Sequence, residues 1–350
     1  MALDDTMTAA GGAGPAPSRR STRERVRVAR PWALGVGLVL GALLLQTQLY
    51  SGQARTVTAI FMFVALAQSW NLIGGFTGYA SFGQVVFFGI GGYTTAVAMT
   101  NWHWTFWTSL VLSGVVAALY GAVVGMPLLR LRGHYFAIAT LGMAEGTREI
   151  VTNLPDLTGG GGGITLPTVG AGATTAYLGN DGFYLVFLAL AALGLLVTGV
   201  VSRSKFGFAL RAIHQDEDAA AAVGINTTKT KILTFALSGF LAGLVGATYA
   251  FQQVTIYPER LFDVEITVLM VVMVVIGGSG TVIGPVIGAV GLQFLSEWLR
   301  QNYTSIHTLL LGGIIIVAVI LLPQGIANYL SEARRTGEYS LLANVRRYRL

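Results

Sequence analysis

The sequence has no cysteine and little charge. Without cysteine, disulfide bonds, thiolate metal sites and iron–sulfur clusters are excluded. Asp, Glu, Lys and Arg together make up 11% of the 350 residues, against roughly 25% in an ordinary soluble domain. A chain with so few charges and 53% hydrophobic residues cannot give its core a water-soluble surface. The composition therefore predicts an integral membrane protein without a sizeable soluble domain.

Sequence patterns that bind metals or nucleotides are also lacking. The histidines have no metal-ligand spacing; they are His103, His134, His214 and His307. The glycine run at 159–163 is not followed by Gly-Lys-Ser or Gly-Lys-Thr, so it is not a phosphate-binding loop. The formal charge of +6 comes from basic residues that flank apolar segments rather than from a basic domain. We therefore expect no enzyme activity, no metal or cofactor bound by this chain, and no nucleic-acid partner.

Ten apolar segments follow one another along the chain, and we interpret them as membrane spans. They lie near residues 32–50, 56–73, 82–99, 106–128, 135–152, 182–201, 231–251, 264–277, 281–297 and 308–323. The predicted fold is all-α: a polytopic α-helical integral membrane protein with about ten spans. Basic tails at 1–31 and 326–350 flank a transmembrane domain at 32–325, which contains a hydrophilic loop at 202–230.

Lys and Arg are concentrated in four hydrophilic segments. Six lie in the amino-terminal tail, two at the turn 130–132, five in 203–231 and five in the carboxy-terminal tail, which is eighteen of the 22. Such residues accumulate in cytoplasmic segments. All four segments fall on one side of the membrane when ten spans alternate, so both termini and the loop 202–230 are predicted to be cytoplasmic.

Two glycine-rich turns, at 74–78 and 277–280, interrupt long apolar stretches, one in each half of the chain. Broken segments at corresponding positions of two halves indicate an internal repeat with a pathway at the membrane midplane. Tight hairpins between complete helices explain the same pattern, so re-entrant segments and full hairpins both stay open. Gly75, Gln84 and Gly278 are the candidate pathway residues at these turns.

Glu145, Arg148 and Glu149 are ionisable residues inside a predicted span, where a charge is costly unless it is paired or hydrated. Their spacing places them on one helix face, so the Arg148 side chain can neutralise a carboxylate beside it. This predicts a buried ion pair between Glu145 and Arg148. Direct contact with a transported solute is the alternative.

The loop 202–230 predicts a short amphipathic helix outside the bilayer. Apolar residues recur there at helical spacing, namely Leu210, Ile213, Ala220 and Val223. Gly224 stands at a plausible helix end. A helix with an apolar stripe and no core of its own lies on a membrane surface or docks into another protein. The acidic residues 216–218 beside basic ones favour a protein partner.

Four blocks of sequence, in order, carry a resemblance to a known family. They are GGFTGYASFGQVVFFGIGGY at 74–93, AEGTR and LTGG at 144–148 and 157–160, GFALRAIHQDEDAAAAVGIN at 207–226, and PE, GGSGT and GPVIGA between 258 and 289. They resemble the inner-membrane permease subunits of ABC importers, in the LivM-type version of the branched-chain amino acid family. Gln84 stands where histidine is usual in that family.

The resemblance implies a multi-pass subunit of the cell inner membrane that works with separate proteins. These are a second homologous permease, two cytoplasmic ATPases that hydrolyse ATP, and an extracytoplasmic solute-binding protein. The segment 207–223 would be the coupling helix seated on an ATPase. Its implied residues are Gly207, Leu210, Arg211, Ile213, Asp216, Glu217 and Gly224, with Leu210 and Ile213 as apolar anchors and Arg211 and the acids as charged contacts.

The sequence defines the transported solute less well than it defines the protein components of the importer. A pathway with almost no unpaired charge suits a neutral or zwitterionic solute, and the resemblance implies branched-chain amino acids. Urea and short amides, which relatives of this family carry, are an alternative. A stand-alone secondary transporter is the alternative of another class, and it would require a buried carboxylate or a sodium site.

Overall fold

The computed structural model describes residues 51–168, 175–303, 305–322 and 324–336. The predicted tail 1–31 and the first predicted span, 32–50, lie outside the described residues, as do residues 337–350 of the carboxy-terminal tail.

The described residues form an all-α fold, as predicted. The helices are α1 Ser51–Trp70, α2 Gln84–Asn101, α3 Phe106–Leu128, α4 His134–Thr152, α5 Pro155–Thr158, α6 Gly179–Arg203, α7 Lys205–Gln215, α8 Glu217–Ala222, α9 Thr227–Gln253, α10 Pro258–Leu261, α11 Val264–Gly277, α12 Gly284–Asn302, α13 His307–Leu321 and α14 Ile326–Thr336. Helix α1 continues as a π-helix, Asn71–Phe76, and Gly160–Gly162 form a 3-10 turn. The short strands β1 Ile164–Thr165 and β2 Thr255–Ile256 pair antiparallel, with Ile164 opposite Ile256.

Four helices among the described residues are long and apolar enough to cross a membrane. They are Gln53–Phe76, Phe106–Leu128, Gly179–Arg203 and Thr227–Gln253. Five further predicted spans correspond to α2, α4, α11, α12 and α13. Helix α11 has 14 residues and is therefore about 21 Å long, shorter than the ~30 Å hydrocarbon core of a bilayer. The count of ten spans stays a prediction.

Helices α2, α3 and α9 pack tightly through small residues. A Cβ added at Gly91 would lie 2.1 Å from the Gly243 carbonyl oxygen, and one at Gly246 would lie 1.9 Å from the Phe88 carbonyl oxygen. Glycines let helix backbones approach this closely in a membrane protein. Gly239 and Gly243 have the same role, because a Cβ at either would lie 2.9 Å from a carbonyl oxygen of α3.

Helix α1 contacts four other helices, namely α6, α9, α11 and α12. Its side chains from Phe63 to Ala67 are buried. Both glycine-rich turns of the sequence adjoin this region, since one follows α1 and the other separates α11 from α12. The two interrupted segments are therefore neighbours in space.

Candidate functional site

The two glycine-rich turns contact each other directly. The Gly280 amide donates a hydrogen bond of 2.9 Å to Asn71 Oδ1, and Asn71 Nδ2 donates one of 2.8 Å to the Thr281 carbonyl oxygen. A Cβ at Gly75 would lie 2.6 Å from the Gly280 nitrogen, so the contact requires glycine there. The turn that contains Gly278 is thus joined to the turn that contains Gly75 by a buried asparagine that the sequence analysis did not identify.

Gln84 is a buried residue that connects three helices. Its Nε2 donates hydrogen bonds to the Ser69 hydroxyl, at 3.2 Å, and to the Ser238 hydroxyl, at 2.6 Å. The Ser238 hydroxyl in turn donates to the Ser69 carbonyl oxygen at 2.8 Å. Among the described residues, Gln84 Oε1 has no hydrogen-bond partner. These uncharged groups form a polar cluster between α1, α2 and α9.

The predicted amphipathic helix at 207–223 is two helices, α7 and α8, and the prediction of a single helix is wrong. Asp216 has an extended backbone, with φ −160°, and its Oδ1 accepts hydrogen bonds from the amides of Asp218 and Ala219 at 2.9 and 3.0 Å. Aspartate is favoured at this capping position because it satisfies free amides of the first turn. The predicted helix end at Gly224 is confirmed, with φ +88° there.

Leu210 and Ile213 are buried in this chain, so the expectation that they are exposed anchors for a partner needs correction. Leu210 packs in a cluster with Leu72, Phe76, Val201 and Leu241. The apolar stripe of α7 therefore packs against the membrane domain of the same chain and is not exposed. Gly207 allows this close approach, because a Cβ there would lie 2.0 Å from the Val201 carbonyl oxygen.

The opposite face of α7 and α8 is open. Phe208 is 63% exposed, and Val223, which the sequence analysis placed on the apolar stripe with Leu210 and Ile213, is 77% exposed. The Arg211 guanidinium lies 4.7 Å from the centre of the Phe208 ring and donates to the Ser202 carbonyl oxygen at 2.7 Å. We call the exposed residues Phe208, Arg211 and Val223 together the docking face.

Lys231 is a buried lysine at the centre of a polar network. Its Nζ donates to Glu217 Oε1 at 2.7 Å, to the Leu129 carbonyl oxygen at 2.7 Å and to the Tyr79 hydroxyl at 2.9 Å. The Tyr79 hydroxyl donates to Glu217 Oε2. All three ammonium hydrogens therefore have acceptors, as a buried charge requires.

The acidic residues 216–218 all have hydrogen-bond partners within this chain, and Asp218 is exposed as well. Asp216 caps α8, and Glu217 pairs with Lys231. Asp218 accepts two hydrogen bonds from Arg132, at 2.9 and 3.0 Å. The Arg132–Asp218 pair is exposed and contributes little to stability, whereas the buried Glu217–Lys231 pair fixes α8 against α9 and the turn after α3.

The network holds its groups in defined protonation states at neutral pH. Burial by itself would raise the pKa of the Glu217 carboxyl. The hydrogen bonds from Lys231 and Tyr79 and the charges of Lys231 and Arg132 outweigh burial, so the pKa lies below its ordinary value. Burial and the hydrogen bond to Glu217 raise the pKa of the Tyr79 phenol. Glu217 is therefore ionised and Tyr79 is protonated.

Helix α7 also contacts the first glycine-rich turn. His214 Nδ1 lies 3.2 Å from the Gly75 carbonyl oxygen, which accepts a hydrogen bond when Nδ1 carries a proton. Gly78, with φ +76°, lies against the same ring, and a Cβ there would approach His214 Cδ2 to 2.9 Å. The two regions that the sequence analysis treated separately are thus in contact.

Sequence reasoning missed Tyr79, Lys231 and His214, although a lysine at the start of an apolar helix was a usable signal.

The ion pair predicted in α4 is present, but it is not buried in this chain. Arg148 Nη2 lies 2.8 Å from Glu145 Oε2 and 3.8 Å from Glu149 Oε1. The side chains of Glu145 and Arg148 are 52% and 34% exposed. The same helix face carries Tyr135, Ile138 and Gly142, which are also exposed. We call this the α4 face.

The described residues contain no group of three or more His, Asp or Glu that could hold a metal ion.

Comparison with known proteins identifies similar transport components. Residues 29–319 match the family described as branched-chain amino acid transport system / permease component. The high-affinity branched-chain amino acid transport system permease protein LivM of Salmonella typhimurium is 32% identical over 298 residues, which is 79% of this chain and 70% of that protein. The LivM protein of Escherichia coli is 31% identical over the same shares. The autoinducer 2 import system permease protein LsrC of Salmonella paratyphi B is 24% identical over 66% of this chain and 65% of its own. No solved structure matches the chain.

Proposed function

Because the chain belongs to the family of permease components of branched-chain amino acid transport systems, we propose that it is the permease subunit of an ABC importer for these amino acids in the cell inner membrane. It forms the pathway together with a second permease. Two ATPases that hydrolyse ATP and an extracytoplasmic solute-binding protein complete the importer. The chain itself carries no catalytic site in this proposal.

The observation that carries the proposal is the contact between α7 and the first glycine-rich turn. The His214 side chain contacts the Gly75 carbonyl oxygen, and Gly75 contacts the main chain of Gly280 in the second turn. A displacement of α7 therefore reaches both interrupted segments through direct contacts. An importer that takes its energy from a separate ATPase requires such a connection, since a ligand drives a change only through contacts that differ between two states.

The docking face is the proposed seat of an ATPase. Phe208 is an exposed aromatic residue backed by Arg211, and aromatic and arginine side chains dominate the energetics of protein interfaces. The packing of Leu210 and the buried Glu217–Lys231 pair resist separation of α7 and α8 from the membrane domain. Closure of the ATPases thus pulls on α9, on Tyr79 and on the glycine-rich turns.

The α4 face is the proposed wall of the pathway. Glu145 and Glu149 cannot face lipid without a large desolvation cost, and both are exposed in the isolated chain. A water-filled pathway beside the companion permease would hydrate them. In this proposal Gln84, Gly75 and Gly278, which are buried in this chain, belong to the same pathway and offer it polar, uncharged groups. This lining suits a zwitterionic solute better than an ion.

Reconstitution of the whole importer tests the proposed function. The chain, its companion permease, both ATPases and the solute-binding protein are placed in liposomes, and ATP-driven uptake is measured for leucine, isoleucine, valine, urea and acetamide. We expect uptake of the three amino acids. Uptake of urea or acetamide alone would contradict the proposal that branched-chain amino acids are transported. Uptake by the chain without ATPases would contradict the proposal that ATP hydrolysis by separate subunits drives transport.

A substitution on the docking face tests the seat of the ATPase. Phe208→Ser is expected to weaken co-purification of the ATPases about tenfold or more, because an exposed aromatic anchor is removed. Leu131→Ser is the matched control, since Leu131 is 39% exposed in the turn between α3 and α4. Equal retention of the ATPases by both variants would show that the ATPase binds at another surface of the chain.

A further inference from the structure

A cavity of about 170 Å³ lies between α1, α6 and α9. It is formed by the first residues of α1 and α6 and the last residues of α9. Helix α7 follows the other end of α6, and α8 precedes the other end of α9. The 27 residues of α9 separate the cavity from the docking face by about 40 Å. If the docking face is cytoplasmic, the cavity opens toward the extracytoplasmic side, where a solute enters.

The cavity has one charged group and several free polar groups. Arg55 lines it, and no carboxylate does. Arg148 and Arg300 each pair with a glutamate on their own helix, whereas Arg55 has no ion-pair partner among the described residues. In the part of the chain that the structure describes, the side-chain amides of Gln252 and Gln253 have no hydrogen-bond partners either.

The remaining lining is apolar and aromatic. Met62 and Phe187 contribute aliphatic and ring surface, and the Tyr249 ring closes another side. An apolar cavity of about 150 Å³ accommodates a molecule the size of benzene, so the space suffices for one small organic solute. An apolar wall with a few convergent polar groups is typical of small-molecule sites.

We propose that this cavity receives the transported amino acid, with Arg55 binding its carboxylate. A guanidinium binds a carboxylate through two parallel hydrogen bonds. The α-ammonium group has the side-chain oxygens of Gln252 and Gln253 as acceptors, and the branched side chain packs on Met62 and Phe187. The site thus selects a monocarboxylic amphipathic amino acid over urea or a neutral amide, which lack the carboxylate. The inference rests on the proposed function.

Uptake by the complete importer in liposomes, at saturating solute-binding protein, tests the site. Arg55→Gln is expected to lower maximal leucine uptake roughly tenfold or more, because charge-assisted hydrogen bonds are lost. ATP hydrolysis stimulated by the binding protein should change less than about twofold, since Arg55 lies far from the docking face. Arg260→Gln is the matched control, because Arg260 is an exposed arginine of α10 outside the cavity, and its uptake should equal that of the unmodified chain.

Gln252→Glu provides a second test, which is needed if Arg55→Gln assembles poorly. Gln252→Glu keeps the side-chain shape and places a carboxylate in the cavity, where it competes with the solute for Arg55. We expect uptake to fall while the yield of assembled importer is maintained. Uptake unchanged or increased in Gln252→Glu would overturn the proposal.

The other outcomes separate this site from its alternatives. If Arg55→Gln only raises the concentration of binding protein needed for half-maximal ATP hydrolysis, with maximal uptake unchanged, Arg55 contacts the binding protein and the solute site is refuted. If the unmodified importer takes up leucine and both variants match it, the cavity has no role in uptake and the proposed function stands. If the unmodified importer takes up no branched-chain amino acid, the proposed function itself fails.

Discussion

Lys231 illustrates how a single residue fixes the position of a whole loop. Its ammonium group is buried beneath α8, and its three hydrogen-bond acceptors come from the segment after the π-helix, the end of α3 and α8. A buried pair gains stability only when its remaining groups are hydrogen-bonded. Here Tyr79 supplies the additional bond to Glu217, so the network is complete.

Removing one partner of this pair should be strongly destabilising. Lys231→Met removes the buried cation of Glu217 and leaves only the exposed Arg132, whose Nε lies 3.5 Å from Glu217 Oε2, so the loss should approach roughly 3–5 kcal/mol. The double variant Lys231→Met, Glu217→Gln should recover most of the loss, because no buried charge remains. The midpoint of thermal unfolding in detergent measures both. Asp218→Asn is the control for the exposed pair and should change the midpoint little; an equal loss in all three variants would argue against a buried network.

The stability that Glu217 contributes should depend on pH with a defined sign. Its folded-state pKa lies below the ordinary value of 4.5, so the unfolded chain binds the proton more readily than the folded one. The contribution is therefore fully present above about pH 4.5 and is lost as the pH falls through the lower folded-state pKa. The difference in unfolding midpoint between the unmodified chain and Glu217→Gln should be constant near neutral pH and shrink below pH 4.5. A difference that grows on acidification would contradict the sign.

The interrupted segments are the elements on which coupling depends in the proposed importer. The turn after α1 and the turn between α11 and α12 are held together by Asn71 through main-chain groups of the second turn. Main-chain hydrogen bonds at a helix interruption satisfy groups that a continuous helix would pair internally. Such a junction can rearrange without unfolding either helix, which suits a gate.

A side chain at the junction should uncouple transport from ATP hydrolysis. Gly75→Ala places a Cβ against the Gly280 nitrogen and Asn71 Oδ1, so the turns must separate. We expect leucine uptake to fall at least about tenfold, since several buried hydrogen bonds are disturbed, while the ATPases remain bound and active. Gly291→Ala is the matched control, because no atom lies within 4 Å of a Cβ there. Normal uptake in Gly75→Ala would show that the contact is not part of the gate.

At the scale of the whole molecule, the exposed surface is divided between apolar and charged faces. None of the side chains of α13 is buried in the described part of the chain, and its exposed residues include Leu309, Ile316 and Ile320. Such a face suits lipid or another membrane subunit. The α4 face, with Glu145 and Arg148, is the contrasting charged one, and its exposure requires water or a polar partner.

Single-cysteine labelling distinguishes the two faces, because the chain has no cysteine of its own. Gly142→Cys on the α4 face should react with a water-soluble maleimide in the assembled importer. Ile316→Cys on α13 should not, since a cysteine in lipid is neither ionised nor reached by the reagent. Labelling of Ile316→Cys but not Gly142→Cys would reverse the assignment of the faces.

Much of the fold follows from local properties of the sequence. Low charge and long apolar runs determined that the protein is an all-α membrane protein, and two of these runs located α3 and α11 at the predicted residues. The Glu145–Arg148 pair followed from helical spacing alone. These features depend on residues within one or two helical turns of each other, so a single sequence contains them.

The arrangement of the candidate site was decided only by the tertiary structure. Leu210 and Ile213 have the same spacing whether they face a partner or their own membrane domain, and only packing against Leu72 and Phe76 determined that they are buried. The contacts of His214 with Gly75 and of Gln68 with Val282 join residues 139 and 214 positions apart. Hydropathy and spacing describe each segment by itself, whereas which segments meet depends on the packing of the complete chain.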